Sequence, residues 1–300
     1  MSNKPVNVGN WIEENKKYFK PPVCNKSIHK DGQLKIFCVG GPNVRKDFHI
    51  EAGEELFYQI KGDMCLKILE KGRHRDIIIK QGQIFLLPAC IPHSPQRFEN
   101  TIGIVLERER DKTKSELDAL RYFVENDGKP TNDILYEKWF YCDDLEKLGP
   151  IIAEYFASEQ HKTGRPIPGS LGKSVFELDE DSTVIEPFDL RQWIEDNRKD
   201  IESHQYKRMF DEDFQFQVFA YSALKITDRC DIAETWFWVI EGSCEITTSG
   251  VTHSLKQDDS LLVPINEQYR YEGTEGCITL MCFQDGNKGK LRLTNGTISA

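Results

Sequence analysis

Apolar and polar positions alternate over short distances along most of the chain. Leu34-Lys35-Ile36-Phe37-Cys38-Val39 reads as a strand rich in β-favouring residues and stopped by Gly40-Gly41-Pro42. Residues 56–60, 64–70, 76–80, 84–88 and 103–107 read the same way, with Lys61-Gly62-Asp63, Lys71-Gly72 and Gln81-Gly82 as the turns between them. An amphipathic helical stretch opens the chain at residues 11–17, and Pro21-Pro22 makes residues 20–26 a stiff extended connector. A second helical stretch is expected over residues 115–124, followed by Trp139-Phe140-Tyr141 and an apolar segment at 151–156. Many short strands with glycine turns and little helix predict a β-sandwich or barrel.

The pattern then repeats. Trp236-Phe237-Trp238-Val239-Ile240-Glu241-Gly242-Ser243 echoes Leu56-Phe57-Tyr58-Gln59-Ile60-Lys61-Gly62-Asp63 position by position. Residues 258–264 likewise echo 82–88. An internal repeat of this kind implies two copies of one small barrel. The expected fold is all-β dominated, with two jelly-roll-like barrels in one chain and a few short helices. The best linker candidate begins at His161-Lys162-Thr163-Gly164-Arg165-Pro166-Ile167-Pro168-Gly169. Expected boundaries are 1–163 for a catalytic barrel, 164–181 for the linker and 182–300 for a degenerate, metal-free barrel.

Composition narrows the partners. With 39 basic against 49 acidic residues the formal charge is −10, which argues against nucleic acid, since such binding draws on excess Lys and Arg. No apolar run approaches the roughly 18 residues of a membrane span, and no signal-peptide core is expected. Nine cysteines without a C-x-x-C pair fit reduced thiols in the cytosol.

The chemistry concentrates in a split motif. Strand alternation puts Arg45, Asp47 and His49 on one side of their strand and His93, Pro95 and Arg97 on one side of theirs, so two His–Arg pairs are expected to project into one space. Two histidines and a carboxylate suit a non-haem Fe(II) site, but a turn at Gly53 leaves open whether Glu54 or Glu55 is the carboxylate. The second copy carries Thr235 in place of Glu55 and Tyr269 in place of His93, so the barrel itself does not need the triad. An arginine four residues from each histidine suits an anionic substrate, because guanidinium binds carboxylate through two parallel hydrogen bonds. By pattern alone, residues 107–111 form a solvated charge run, Asn25 is a loop residue, and His29, His74, His161, His204 and His253 are surface residues.

Gly41, five residues, Asp47-x-His49, Glu55 and Gly62 resembles the first cupin motif. Gly82, five residues, Pro88-x-Cys90, two residues and His93 resembles the second. The departures, Asp47 for a histidine, Arg97 for an asparagine and a longer spacing to Glu55, point to one family. The segments 21–26, 40–49, 53–59, 91–97 and 137–142 resemble the 3-hydroxyanthranilate 3,4-dioxygenase family in its animal-type, single-chain bicupin form. That resemblance implies Fe(2+) held by His49, Glu55 and His93, and so selects Glu55 over Glu54. It implies Arg45 and Arg97 as oxygen- and substrate-pocket arginines, Glu107 as a substrate-binding glutamate and Asn25 as part of a closing loop. It also implies 3-hydroxyanthranilate and O2 as substrates, with 2-amino-3-carboxymuconate semialdehyde as the product that leads to quinolinate in the kynurenine pathway. A monomer is expected, the second barrel filling what would otherwise be a dimer interface. The rival expectations are a bicupin that keeps metal for structure only and a cupin dioxygenase for another substrate.

Overall fold

Leu34, Ile36, Cys38 and Gly40 are buried while Lys35, Phe37 and Val39 are only half-buried, so the first alternating stretch is a strand with its apolar face inward. The structure is a computed structural model that describes residues 4–21, 24–29, 32–142 and 148–289. The connector residues Pro22 and Val23 lie outside the described residues.

The chain begins with β1 (Val6–Asn7), α1 (Val8–Asn15), a 3-10 turn at Lys16–Phe19, β2 (Asn25–Ser27), β3 (Leu34–Gly40) and β4 (Phe48–Ile50). It continues through β5 (Glu55–Lys61), β6 (Met64–Glu70), β7 (Arg73–Ile79), β8 (Gln83–Leu87), β9 (His93–Arg97) and β10 (Ile102–Arg108). After these come β11 (Asp118–Asn126), β12 (Lys129–Phe140), α2 (Leu148–Ala157) and α3 (Glu159–Thr163). The second half is β13 (Phe188–Asp189), α4 (Leu190–His204), β14 (Tyr206–Arg208), β15 (Phe216–Tyr221), β16 (Lys225–Arg229) and β17 (Thr235–Glu241). It ends with β18 (Ser243–Thr248), β19 (Val251–Lys256), β20 (Asp259–Val263), β21 (Gln268–Gly273) and β22 (Ile278–Gln284).

In the first half a sheet ordered β13-β8-β5-β10-β3-β2 faces one ordered β12-β11-β4-β9-β6-β7. Phe57, Phe85 and Val105 from the one and Met64, Leu66 and Ile68 from the other fill the space between them. The second half sets β1-β20-β17-β22-β15-β14 against β16-β21-β18-β19 around Phe237, Ile246, Leu261 and Tyr271. The repeat is visible in the register. Glu55 opposes Leu87 and Leu56 opposes Leu86, as Thr235 opposes Val263 and Trp236 opposes Leu262.

The two barrels exchange their first strands. β1 adds to β20 of the second barrel, and β13 adds to β8 of the first. Each is followed by a helix with a matched cap, the Asn7 side chain accepting from the Asn10 N–H at 3.0 Å and Asp189 from the Gln192 N–H at 2.8 Å. Between the barrels lies a continuous apolar layer in which Ile36, Leu56 and Leu106 meet Ile194, Val218 and Trp236.

Three expectations are corrected, the first being the solvated charge run read at residues 107–111, where Arg108 and Arg110 are buried in ion pairs with Glu116 and Asp118. Residues 115–124, read as helical, hold β11, which pairs with both β4 and β12. Local helix propensity loses there because both faces are buried from Asp118 to Phe123, and only a central strand satisfies that. His29, read as a surface residue, is 8% exposed, its Nε2 3.2 Å from Ser260 Oγ across the barrel interface. In the stretch read as a linker, Phe176 is fully buried against Ile50, Ala52, Cys90 and Ala119, so this end of residues 164–181 packs on the first barrel.

Burial pushes His29 down to about 4 from an ordinary 6.5. The unfolded chain therefore binds the extra proton first, and stability is full above pH 6.5 and lost as the pH falls toward 4. Between pH 7.5 and 5 this one group should remove about 2 kcal/mol of unfolding free energy. His29→Gln should flatten that part of the acid limb in urea titrations; an unchanged limb would refute it.

Candidate metal centre

β4 carries His49, β9 begins at His93, and the antiparallel register sets the two directly opposite. Their ring centroids are 5.3 Å apart, with the planes at 72°. The turn before β9 is fixed by the Cys90 N–H, which donates to Glu51 O at 2.9 Å, and by the Leu69 N–H, which donates to Pro92 O at 2.9 Å. Alternation then turns Gln96 to the other side, where its amide donates to Arg45 O at 3.0 Å and accepts from the Arg45 N–H at 3.1 Å. The arginine segment is thus tied to the histidine strand.

Glu55 opens β5 in the facing sheet. Its Oε1 lies 2.7 Å from His93 Nε2 and 3.8 Å from His49 Nδ1. Glu54 points the opposite way, accepting the Phe216 N–H at 2.9 Å from the second barrel. Which carboxylate faces the histidines is therefore settled by the side of the strand each occupies. His49, Glu55 and His93 are 8%, 5% and 1% exposed, and one ligand atom from each lies within 4.8 Å of the others.

Each imidazole is tied at its far nitrogen. His93 Nδ1 is 3.0 Å from Ile91 O, a group that only accepts, so Nδ1 carries hydrogen and Nε2 is the nitrogen turned toward Glu55. His49 Nε2 is 2.8 Å from Asp118 Oδ2, which leaves Nδ1 toward Glu55. Two oriented imidazoles and one carboxylate, with their outer hydrogen bonds in place, fit a divalent metal with open positions for other ligands.

The charges around the triad are arranged to suit. Burial alone would raise the Glu55 carboxyl, but the charge of His93, whose Nε2 is 2.7 Å away, and the nearby polar groups of His49 and Glu51 hold it well below the ordinary range. Burial would lower His49, yet Asp118 and Glu55 hold it up at about 9. Metal binding by this ring at neutral pH would therefore expel a proton from it. Burial pulls Arg97 down to about 10, still charged at neutral pH, and its Nε has no hydrogen-bond partner among the described residues. Arg45, which burial would lower, is instead raised by Asp47, whose Oδ2 it grips through Nε at 3.0 Å and through Nη2. Burial raises Glu107, opposed by Arg110, whose Nη2 lies 3.3 Å away, while the charges of Glu55 and His49 also reach it.

Glu55 is thus the shared point: it groups with His49 and His93 and, separately, with Glu51 and Glu107, and the charges of Arg97 and Arg45 act on it. Asn25 sits on edge strand β2 opposite Val39, next to Cys24, whose thiol feels the Arg97 charge. Sequence reasoning missed Glu51, Arg110 and Asp118. Arg110 Nη2 touches Glu51 Oε2 out of hydrogen-bonding alignment, and its Nε donates to Asp118 at 2.6 Å. The available signal was charge at every second residue, Arg108 and Arg110 before a turn and Glu116 and Asp118 after it.

In the second barrel the equivalent space is filled. Thr235 and Tyr269 are each 2% exposed, and the Phe237 ring packs on Tyr269 at 5.0 Å. Phe283 follows Cys282 opposite Trp236, as Glu107 follows Leu106 opposite Leu56. Among the described residues, both clusters able to hold a metal lie in the first barrel.

Residues 1–156 match the protein family described as 3-hydroxyanthranilic acid dioxygenase. Among similar curated proteins, the 3-hydroxyanthranilate 3,4-dioxygenase of Bos taurus is 49% identical over 94% of this chain and 96% of its own length. The Homo sapiens enzyme of the same name is 48% identical over 92% and 94%, and that of Nematostella vectensis 45% over 93% and 99%. Among solved structures, a salicylate 1,2-dioxygenase from Pseudaminobacter salicylatoxidans superposes with a TM-score of 0.59 at 11% identity, over 95% of this chain and 85% of that one. At that identity the likeness speaks for the fold, two cupin barrels in one chain.

Proposed function

The chain belongs to the 3-hydroxyanthranilic acid dioxygenase family, and from that premise we propose how its first barrel opens the ring of 3-hydroxyanthranilate with O2. The product is 2-amino-3-carboxymuconate semialdehyde, the precursor of quinolinate. Both oxygen atoms enter it, so no separate reductant is needed. His49, Glu55 and His93 hold the metal, which is Fe(II) on this reading. The observation that carries it is the buried triad whose Glu55 interacts with the charge of Arg97, a buried arginine with an Nε that has no hydrogen-bond partner among the described residues.

When bound, Fe(II) supplies Lewis-acid and redox chemistry toward the substrate hydroxyl and O2. The protein supplies the rest. Arg97 takes the substrate carboxylate through paired hydrogen bonds and so fixes the ring's orientation. Glu107, which burial inclines toward accepting a proton, receives the one leaving the ring hydroxyl. Arg45, oriented by Asp47, places positive potential where negative charge develops on oxygen. Asn25 borders the Arg97 side of the pocket and helps close it. The buried strands around the triad keep bulk water away from the open ring.

The second barrel has a structural role, covering the apolar face of the first through the layer between them. The chain acts as a monomer, without nucleic-acid or membrane partners. Its net charge of −10 supports the former, and among the described residues no helix is long and apolar enough to cross a membrane. Nine cysteines spread along the chain without a C-x-x-C pair support a cytosolic setting.

The test is anaerobic Fe(II) loading followed by 3-hydroxyanthranilate and air, with oxygen uptake and semialdehyde absorbance followed together. One O2 should be consumed per substrate, and light scattering on the same preparation should give the mass of one chain. No uptake with iron demonstrably bound would favour a bicupin that only binds metal.

A further inference from the structure

Two buried arginine–carboxylate pairs lie side by side across the turn between β10 and β11. Arg108 donates through Nη1 and Nη2 to Glu116 at 2.6 and 2.7 Å. Arg110 donates through Nε to Asp118 Oδ1 at 2.6 Å and through Nη2 to Asp118 Oδ2 at 2.9 Å. Both carboxylates are fully buried. The pairs have the same chemistry and differ in what lies beyond them. The Arg108 pair leads to the second barrel, its Nε 3.4 Å from Gln215 Oε1. The Arg110 pair leads to the metal centre, Asp118 Oδ2 standing 2.8 Å from His49 Nε2.

We propose that Asp118, clamped by Arg110, is a positioning residue for the metal centre: it takes the Nε2–H of His49 and holds that ring with Nδ1 toward Glu55 and His93. The geometry leaves it little choice. A carboxylate only accepts, so once the His49 ring is neutral its remaining hydrogen lies on Nε2 and its lone pair on Nδ1, the nitrogen 3.8 Å from Glu55 Oε1. Arg110 in turn keeps Asp118 from following the ring. Its guanidinium also touches Glu51 and Glu107, and its backbone carbonyl accepts from Tyr141 OH at 3.0 Å, so the clamp is anchored on several sides. His93 gets the same service from the Ile91 carbonyl, which cannot be changed by a side-chain substitution. Asp118 is therefore the adjustable outer support of the triad. This inference rests on the reading of His49, Glu55 and His93 as metal ligands.

Asn at position 118 has one acceptor oxygen for the three donors that now converge there, so it cannot serve both Arg110 and His49. Glu116→Gln breaks the parallel pair in the same chemical way without touching a ligand and serves as the control. Anaerobic titration with Fe(II), and with Co(II) read by its visible ligand-field spectrum, should show Asp118→Asn binding metal about 10- to 100-fold more weakly, with an altered Co(II) spectrum. Glu116→Gln should lower the urea midpoint to a similar extent and leave both readouts at wild type. At saturating metal, Asp118→Asn should lower kcat with little change in KM, because Asp118 does not reach substrate. Wild-type affinity and spectrum in Asp118→Asn, or equal loss in Glu116→Gln, would reduce Asp118 to a folding role. Wild-type protein that bound neither metal would instead overturn the ligand assignment itself.

Discussion

His93→Ala should take up no iron and turn over no 3-hydroxyanthranilate while keeping its strands. The ring is 1% exposed, its Nε2 lies 2.7 Å from Glu55 Oε1, and among the described residues no other His, Cys, Asp or Glu is grouped to replace it beside His49. With two ligands left the site loses most of its affinity, since the carboxylate and one imidazole form an incomplete set for a first-row divalent ion. The fold survives because the backbone of β9 keeps its register with β6 and the turn before it keeps the Cys90–Glu51 and Leu69–Pro92 bonds. The cost to stability should be about 1–3 kcal/mol, the range for leaving a buried polar partner, here Glu55, without its hydrogen bond. Iron content by elemental analysis, oxygen uptake and circular dichroism measure the three quantities. Full iron with full activity would exclude His93 as a ligand, and lost circular dichroism would make the activity loss uninformative, in which case His93→Gln is the variant to read.

The parts of this architecture legible in the sequence are those written in neighbouring residues. Leu34 to Val39 alternates on its own, and the match of residues 236–243 to 56–63 carried the second barrel, whose register repeats the first pair by pair. His49 and His93 could be paired because each sits in an alternating stretch with an arginine. The parts not legible depend on residues far away. β1 and β13 are two residues long and have no pattern, yet they define the exchange between barrels. His29 looked like a polar loop residue because Ser260, its partner, is 231 positions away. Glu54 and Glu55 are chemically identical, and only the Phe216 N–H on the far barrel shows that Glu54 belongs there. Asp118 was hidden inside a stretch of good helix formers, whose preference was overruled by β4 and β12 on either side.

Arg97→Met should lose function and stabilise the substrate-free, metal-loaded protein at the same time. Arg97 is a buried cation, 3% exposed, with an Nε that finds no hydrogen-bond partner among the described residues. Burying such a charge without full pairing is costly, and an apolar chain of similar length relieves that cost. Its attraction to Glu55 does not compensate, because in the loaded site the carboxylate is already neutralised by the metal it binds. The expected gain is about 1 kcal/mol, seen as a higher urea midpoint with an unchanged slope. Against this, the substrate carboxylate loses a bidentate partner in a desolvated pocket, worth about 2–5 kcal/mol, so kcat/KM should fall by at least about 30-fold, chiefly through KM. Iron content should stay at wild type, which separates this variant from His93→Ala. Opposite signs for stability and activity are what a residue held in place for its substrate should give. A variant that became less stable while KM stayed unchanged would show that Arg97 supports the barrel instead.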